Sequence, residues 1–424
     1  MYKKHLVFVE TNQNGSLALS VAEKMGYMVS FIYSPLYENL FLRSKTIDLN
    51  KLSFIETVDD SFDYVCLKKA IIKINSKKKV DCILSVVDQT ILPIANVARD
   101  LNIPFTRLEA IELTKNKYKC RQFLKNHTVE VGNSFLIRNE EDIKHIKDNI
   151  AYPCIMKPNE GAGSYYSHII DSYDELLTVY SNYSKEFYLK GIPKNKIASD
   201  ELVVEEYFEG PLFSAEIGIN EGTIIVFAVG ERKRWAKNEV IELGTTIPSV
   251  YSQKDLTLLE EYAKKIVRVL NPIRGIFHIE MILTKDGPRL IEVNPRLMGG
   301  NGPLLLSYAC DINIFKYLIH IHLQKKCPKK EFRSHNPITS RLFGAGGPGI
   351  TKNDIDWSWL DHYKNRLVSF TCSVKPNQEV KEVTSNYGYL GSFQVKGTTA
   401  QNSIALADEI LQKVELTLGV EITK

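Results

Sequence analysis

The sequence predicts a mixed α/β and α+β chain, with an N-terminal parallel sheet covered by helices followed by a larger antiparallel sheet. Three observations carry this: strands and helices alternate over the first hundred residues, β patterning becomes dense after residue 200, and one long amphipathic helix interrupts it. HLVFV at 5–9 is followed by a polar turn carrying Gly15, a helix to Met25 and Gly26 as its stop, then a second apolar run from Met28 to Tyr33. CILSVV at 82–87 leads into a helical pattern from Leu92 to Leu101 that closes at Asn102 and Pro104. A basic helix, KYKCRQFLKNH at 117–127, leads to strand-like VGNSFLI and PCIMKP, and 172–200 reads as a helix and an exposed loop. Segments 202–208, 212–219, 223–229, 277–283 and 289–293 have β character and are joined by turn signals, so they are assigned to one antiparallel sheet. Between them Leu256, Leu259, Ala263, Ile266, Val267 and Leu270 recur at helical spacing. The last hundred residues mix strands (SRLFGA, VSFTCSV, GSFQVKG) with a closing helix from about Ser403 to Leu418 and are expected to complete the same domain.

Composition excludes several classes. The chain of 424 residues is 44% hydrophobic and 25% charged, which rules out disordered and fibrous readings. A net charge of +4 gives no reason to expect nucleic acid as partner. Seven scattered cysteines without CxxC spacing point to free thiols, not to disulfides or zinc. Pro303 to Leu323 carries Asp311 and Lys316, too polar for a span, so a soluble, cytoplasmic protein without membrane contact is expected. GxxxxGK[ST] is absent, the GxGxxG at Gly344, Gly346 and Gly349 contains Pro348 and precedes no helix, and His320 and His322 point to different helix faces.

The chemistry concentrates in FHIEMILTKDGPRLIEVNPRLMGGNGP, residues 277–303. If the turn at Lys285, Asp286 and Gly287 is a three-residue loop with Gly287 left-handed, Glu280 lies opposite Glu292 and His278 opposite Asn294, all on one face. A two-residue turn would put the glutamates on opposite faces. Facing carboxylates repel and are costly to bury unpaired, so a cation between them is implied. Two carboxylates and an amide oxygen suit Mg²⁺ or Mn²⁺ better than zinc.

This hairpin, ending in E-x-N-P-R, resembles the metal-binding strands of the ATP-grasp superfamily. The resemblance implies ATP and Mg²⁺ (or Mn²⁺) as cofactors, with Glu280, Glu292 and Asn294 as metal ligands and Arg296 steadying an acyl-phosphate. KNKYKCRQFL resembles a D-K-x-x-x-R-x-x-L segment and carries over Lys117 as a phosphate contact, with Asn116 in place of the acid. IMKP supplies Lys157 on the α-phosphate or adenine side. EGAGSYYS resembles the glycine-rich lid, in which Gly161 and Gly163 let the backbone approach phosphate and Ser164 donates a hydrogen bond. VVEEYFEGP resembles the adenine-contacting hinge, through Glu205, Glu206, Tyr207 and Phe208. The position of the ribose-holding acid is Leu212, so Glu216 is expected to take that role. On this pattern the domains are 1–112 (N-terminal α/β), 113–203 (linker helix and lid) and 204–424 (catalytic, with C-terminal completion).

Within the superfamily the chain is most similar to the L-amino acid ligase group. VETNQNGSLALSVAEKMGY resembles the start of such ligases, IELGTTIPS their E-x-G-H-x-x-P segment, and NYGYLGSFQVKGTTAQNSIALADE their C-terminal region. This carries over Glu242 as partner for a substrate ammonium, with Thr245 in place of the histidine, and RLMGGNGP places Arg296, Gly299, Gly300 and Asn301 at the acyl-phosphate. The implied reaction activates a small-molecule carboxylate with ATP and joins it to an amine, releasing ADP and phosphate. A bicarbonate-activating carboxylase, a purine-pathway ligase and an ATP-binding regulatory module without turnover are the alternatives. Many relatives form homodimers, an expectation the resemblance also carries.

Overall fold

The computed structural model describes residues 3–41, 47–161, 163–183, 188–189, 192–327 and 335–424. Ala162 of the expected lid and part of the loop expected within 172–200 (184–187, 190–191) lie outside that set.

The N-terminal part runs β1 (His5–Val9), α1 (Gln13–Lys24), β2 (Met28–Tyr33), a single turn α2 (Glu38–Phe41), β3 (Phe54–Thr57), α3 (Tyr64–Lys77), β4 (Cys82–Leu84) and α4 (Ile91–Asp100). The four strands pair in parallel in the order β3-β2-β1-β4. Alternate side chains of β1 feed two different cores. Val7 and Val9 pack with α3 and α4, while Leu6 and Phe8 face α1 and a core shared with the second half of the chain. Gly15 sits in the first turn of α1, where a Cβ would lie 1.7 Å from Thr11 Oγ1, so packing and not turn geometry requires it.

Helices α5 (Leu108–Lys115) and α6 (Lys117–Asn126) lead to a lid built from β5 (Ser134–Ile137), α7 (Glu140–Ile146), β6 (Cys154–Pro158), β7 (His168–Ile170), α8 (Tyr173–Tyr183), the short hairpin β8 (Tyr188–Leu189) and β9 (Ile192–Pro193), and β10 (Leu202–Glu206). Its sheet has the order β5-β10-β6-β7. Strand 202–206 therefore pairs within the lid sheet, not with the sheet of 212–219 as the sequence suggested. Its apolar residues pack under α7 and α8, a partnership that local patterning cannot specify.

The catalytic part contains β11 (Leu212–Asn220), β12 (Thr223–Trp235), β13 (Asn238–Ile247), α9 (Gln253–Leu270), β14 (Arg274–Thr284), β15 (Gly287–Asn294), α10 (Gly302–Ala309), α11 (Ile314–His322), β16 (Ile338–Phe343), β17 (Gly349–Ile350), β18 (Leu367–Cys372), β19 (Glu379–Val380), β20 (Gly391–Lys396) and α12 (Ala400–Leu418). One eight-stranded sheet runs β15-β14-β11-β12-β13-β16-β20-β18, so the C-terminal strands continue it without a break. Helix α9 buries the predicted stripe Leu259, Ala263, Ile266, Val267 and Leu270 on one face of that sheet. On the other face α10 and α11 are sandwiched against α1 and β4, joining the N-terminal sheet to the catalytic one in a single core.

That central pair is strongly apolar, but it is bent by 103° between its two helices, and among the described residues no single helix is long and apolar enough to cross a membrane. Gly344 and Gly346 lie in the loop between β16 and β17, bonded through their amides to Thr423 and Glu421 and not to a helix start. His322 is buried with Nδ1 2.9 Å from the Leu318 carbonyl, and burial lowers its pKa to about 4, so it is a neutral core residue.

Leu306, fully buried where the three layers meet, should cost about 3 kcal/mol when changed to Ala, whereas Leu416, 71% exposed on α12, should cost under about 0.5 kcal/mol. Urea unfolding of L306A and L416A measures the contrast, and equal losses would contradict the shared core.

Candidate active site

The hairpin β14–β15 turns through two residues, Lys285 and Asp286, with Thr284 paired to Gly287. That register alone would set Glu280 and Glu292 on opposite faces. A β-bulge at Ile291 supplies the missing residue, so Glu280 pairs with Glu292 and His278 with Asn294. The expected face is formed, but the bulge forms it, not a three-residue loop. The bulge also turns the Ile291 carbonyl toward cations: Arg121 donates to it at 2.6 Å and Lys157 at 3.4 Å.

Each glutamate of the pair has a separate counter-charge. Lys117 Nζ lies 3.1 Å from Glu292, and His278 Nε2 lies 2.8 Å from Glu280. The other nitrogen of His278 bonds Glu216 on the neighbouring strand β11. Burial opposes charge on the imidazole, but the two carboxylates outweigh it and raise the pKa, and the ring bridges Glu216 and Glu280. Burial likewise pushes the Glu280 carboxyl up, but the His278 bond and the charges of Arg232 and Arg296 hold it well below the usual range. Glu216 thus lies buried beneath the site as a partner of His278 and lines neither cavity, against its expected ribose role. Among the described residues no group of three or more His, Cys, Asp or Glu side chains is arranged to hold a metal. Glu280, Glu292 and Asn294 fit a hard divalent cation that draws further oxygens from a bound ligand.

Arg296 follows Asn294 and is fixed on three sides. Its Nε is 3.3 Å from Asp88, Nη1 2.9 Å from the Leu297 carbonyl and Nη2 3.3 Å from Asn294 Oδ1. Asp88, just beyond the carboxyl end of β4, also pairs with Lys115. Its position at the end of a parallel strand, where ligands gather in open α/β sheets, was the available signal, and the sequence reading passed over it. Next to Arg296, Gly299 and Gly300 (φ +56°) leave open space where a Cβ would be, with Asn14 of α1 donating to the Gly300 carbonyl at 2.7 Å. Asn301 starts α10 without capping it; its amide bonds Ser392 at 3.2 Å instead.

These groups line a cleft of about 420 Å³, and a second cavity of about 110 Å³ meets it at Ser164, Glu242 and Glu280. The smaller cavity lies between the lid and the catalytic sheet. Lys157 and Glu205 both line it, and Glu205 is gripped by Lys157 at 2.7 Å and by Arg121 at 3.0 Å. Arg121 was missed although it is the arginine of the quoted D-K-x-x-x-R pattern. Glu206, Tyr207 and Phe208 form one wall; the Glu206 carboxylate accepts from the exposed Asn133 amide, and the Tyr207 hydroxyl bonds Glu239 at 2.8 Å. Glu239, also held by Arg234 at 2.6 Å, lines this cavity together with Leu212. Glu242 lines both cavities and is ion-paired with Arg232, so no open carboxylate awaits an ammonium there. The glycine-rich segment closes over the junction: Ser164 (φ +52°) accepts from Asn386 at 3.0 Å, and a Cβ on Gly163 (φ +69°) would meet the Tyr387 ring at 2.6 Å.

Asp88 provides a pH test. Burial raises its pKa, but Lys115 and Arg296, with Lys117 beyond them, bring it to about 2. A depressed folded pKa means stability present above the unfolded value of about 4 and lost as pH falls toward 2. The advantage of wild type over Asp88→Asn, on the order of 2 kcal/mol near neutrality, should shrink between about pH 4 and 2 in urea titrations. A pH-independent difference would contradict the buried ion pairs.

Residues 150–303 match the family model described as the ATP-grasp domain. The chain is 21% identical over 63% of its length to the L-arginine-specific L-amino acid ligase of Bacillus subtilis, covering 64% of that protein. It spans about half the length of other curated relatives it matches. The crystal structure of an L-amino acid ligase from Bacillus licheniformis superposes with a TM-score of 0.79 at 17% identity, covering 97% of this chain and 98% of that one. The biotin carboxylase domain of the Hydrogenobacter thermophilus 2-oxoglutarate carboxylase, solved with ADP, magnesium and bicarbonate, gives 0.70 at 14% identity over 100% and 92%. Two carboxylates facing each other on a bulged hairpin, a lid sheet over the neighbouring cavity and the matched segment agree: the chain carries the ATP-grasp fold, and the family model falls on residues 150–303.

Proposed function

We propose that the protein is an ATP-dependent carboxylate–amine ligase, activating an amino acid as its acyl-phosphate and joining it to an amine, with release of ADP and phosphate. The observation that carries this reading is the Glu280–Glu292 pair with Asn294 on one face and Arg296 beside it, at the junction of a small cavity and a larger cleft. The small cavity suits a purine, with Lys157 and the 205–208 wall around it. A divalent cation on Glu280, Glu292 and Asn294 would offset charge on the phosphate oxygens between the two cavities.

In this reading a carboxylate oxygen attacks the γ-phosphorus, the bond to the ADP oxygen breaks, and the amine then displaces phosphate from the acyl carbon. Lys117 would steady the transferring phosphoryl group and Arg296, locked by Asp88 and the Leu297 carbonyl, the developing oxyanions. Gly299 and Gly300 line the same cleft. Lid closure through Ser164 and Asn386 would exclude water that would otherwise hydrolyse the anhydride. A binding module without turnover would have no use for a guanidinium fixed from three directions.

With ATP, Mg²⁺ and pooled L-amino acids, ADP and phosphate should form without AMP. Glu292→Ala should lower the rate by about 10²-fold or more, and an unchanged rate would remove the metal assignment. Lys157→Ala should weaken ATP binding about tenfold in calorimetry; wild-type affinity would remove its role.

A further inference from the structure

The glycine-rich segment lies over the junction of the two cavities, and what holds it down reaches beyond the catalytic sheet. Residues 192–199 of the lid run beside it. Gly161 bridges Ala198 in antiparallel fashion, the Ser199 amide donates to the Glu160 carbonyl at 2.8 Å, and the Glu160 amide donates to the Ser199 hydroxyl at 3.1 Å. Whatever fixes 192–199 therefore fixes the start of the glycine-rich segment. On the other side the Gly161 carbonyl accepts from Lys117 at 3.4 Å and the Glu160 carboxylate accepts from Asn116 at 3.1 Å, so a displacement here reaches the cation that pairs with Glu292.

Residues 192–199 rest on the N-terminal part of the chain. Ile192 and Ile197 are buried in one cluster with Tyr37, Phe41 and Phe62, none of which belongs to the lid. Tyr37 and Phe62 stack with ring centroids 3.7 Å apart, which stiffens the surface they share. Beside this apolar contact Lys196 pairs with Asp60, in the loop before α3. The Asp60 carboxylate is set up for that partner. Its Oδ1 accepts from the Tyr37 hydroxyl at 2.7 Å and the Phe62 amide at 2.8 Å, while Oδ2 takes Lys196. The loop is anchored in turn, with the Ser34 hydroxyl donating to the Asp59 carbonyl at 2.7 Å and the Ser61 hydroxyl to the buried Glu10 carboxylate at 2.6 Å. Burial pushes the Asp60 carboxyl up, but Lys196, the Tyr37 hydroxyl and the Phe62 amide hold it below the usual range. The Lys196 side chain is 38% exposed, so the ion pair is partly screened: apolar burial supplies most of the adhesion and the pair fixes where the lid lands.

We propose that Ile192, Lys196 and Ile197 latch the lid to the surface made by Tyr37, Asp60 and Phe62, and that Lys196 and Asp60 are positioning residues for the glycine-rich segment. Through this contact the N-terminal part of the chain sets how readily Gly161 and Ser164 lift from the junction of the cavities, and hence how long a nucleotide stays beneath them. The latch itself does not depend on the ligase reading; its effect on nucleotide does.

Hydrogen exchange of the protein without nucleotide, read by mass spectrometry, tests the latch. In Lys196→Glu the peptides covering 158–170 and 192–199 should exchange about tenfold faster while those of β1 and β14 keep their protection. Lys196→Arg retains the charge and should stay within about twofold of wild type. Ile197→Ser, which strips the apolar half of the contact, should loosen the same peptides as Lys196→Glu. Wild-type exchange over 158–170 in both loosening variants overturns the latch, and acceleration spread equally over β1 and β14 overturns it in favour of a purely structural contact.

Release of a fluorescent ADP analogue in the presence of Mg²⁺ reads the consequence. The dissociation rate should rise about tenfold in Lys196→Glu and remain at the wild-type value in Lys196→Arg. An unchanged rate in Lys196→Glu overturns the role of the latch in retaining nucleotide. No binding of the analogue to wild type overturns the nucleotide site proposed above and leaves the latch to be judged by exchange alone.

Discussion

Two like charges set face to face on adjacent strands govern the whole site. Glu280 and Glu292 would repel each other and resist burial, and the chain answers with basic side chains: Lys117 from α6, His278 from the same strand, Arg232 from β12 and Arg296 from the loop after β15. None of these can neutralise both acids at once. The arrangement leaves a paired acidic site that the proposed divalent cation and polyphosphate would complete together.

The same economy of charge ties the domains together. Asp88 reaches Arg296 from the N-terminal sheet, and Asn14 reaches Gly300, so the active loop is oriented by the first hundred residues although its ligands lie near residue 290. From the lid side, Lys157 on β6 and Glu205 on β10 meet Arg121 and the Ile291 carbonyl of the bulge. The bulge is thus a joint between lid and catalytic sheet as well as the feature that sets the glutamates on one face. The C-terminal loop carrying Asn386 and Tyr387 completes the enclosure against Ser164 and Gly163.

Much of this was legible in the residues. Strand–helix alternation, the α9 stripe and the E-x-N-P-R hairpin depend on local periodicity and turn chemistry, which a sequence carries directly. The register of the hairpin came out as expected through two compensating departures, a shorter turn and a bulge, and a bulge between Leu290 and Glu292 has no local signature. The roles of Asp88, Arg121, Arg232 and Glu239 were missed because each acts across a tertiary contact. Glu216 was read as a ribose ligand because an acid was wanted near Leu212; the strand pairing sends it to His278 instead. Strand 202–206 was given to the wrong sheet because an apolar run does not say which neighbour it will pair with.

Calorimetric titration of ATP with and without Mg²⁺, on wild type and on the double variant Glu280→Gln, Glu292→Gln, decides whether the opposed glutamates bind nucleotide only through a shared divalent cation. Tight binding that requires Mg²⁺ in wild type and loses that requirement in the double variant is the predicted result. Equal ATP affinity in EDTA and in Mg²⁺ for the wild-type protein would contradict it.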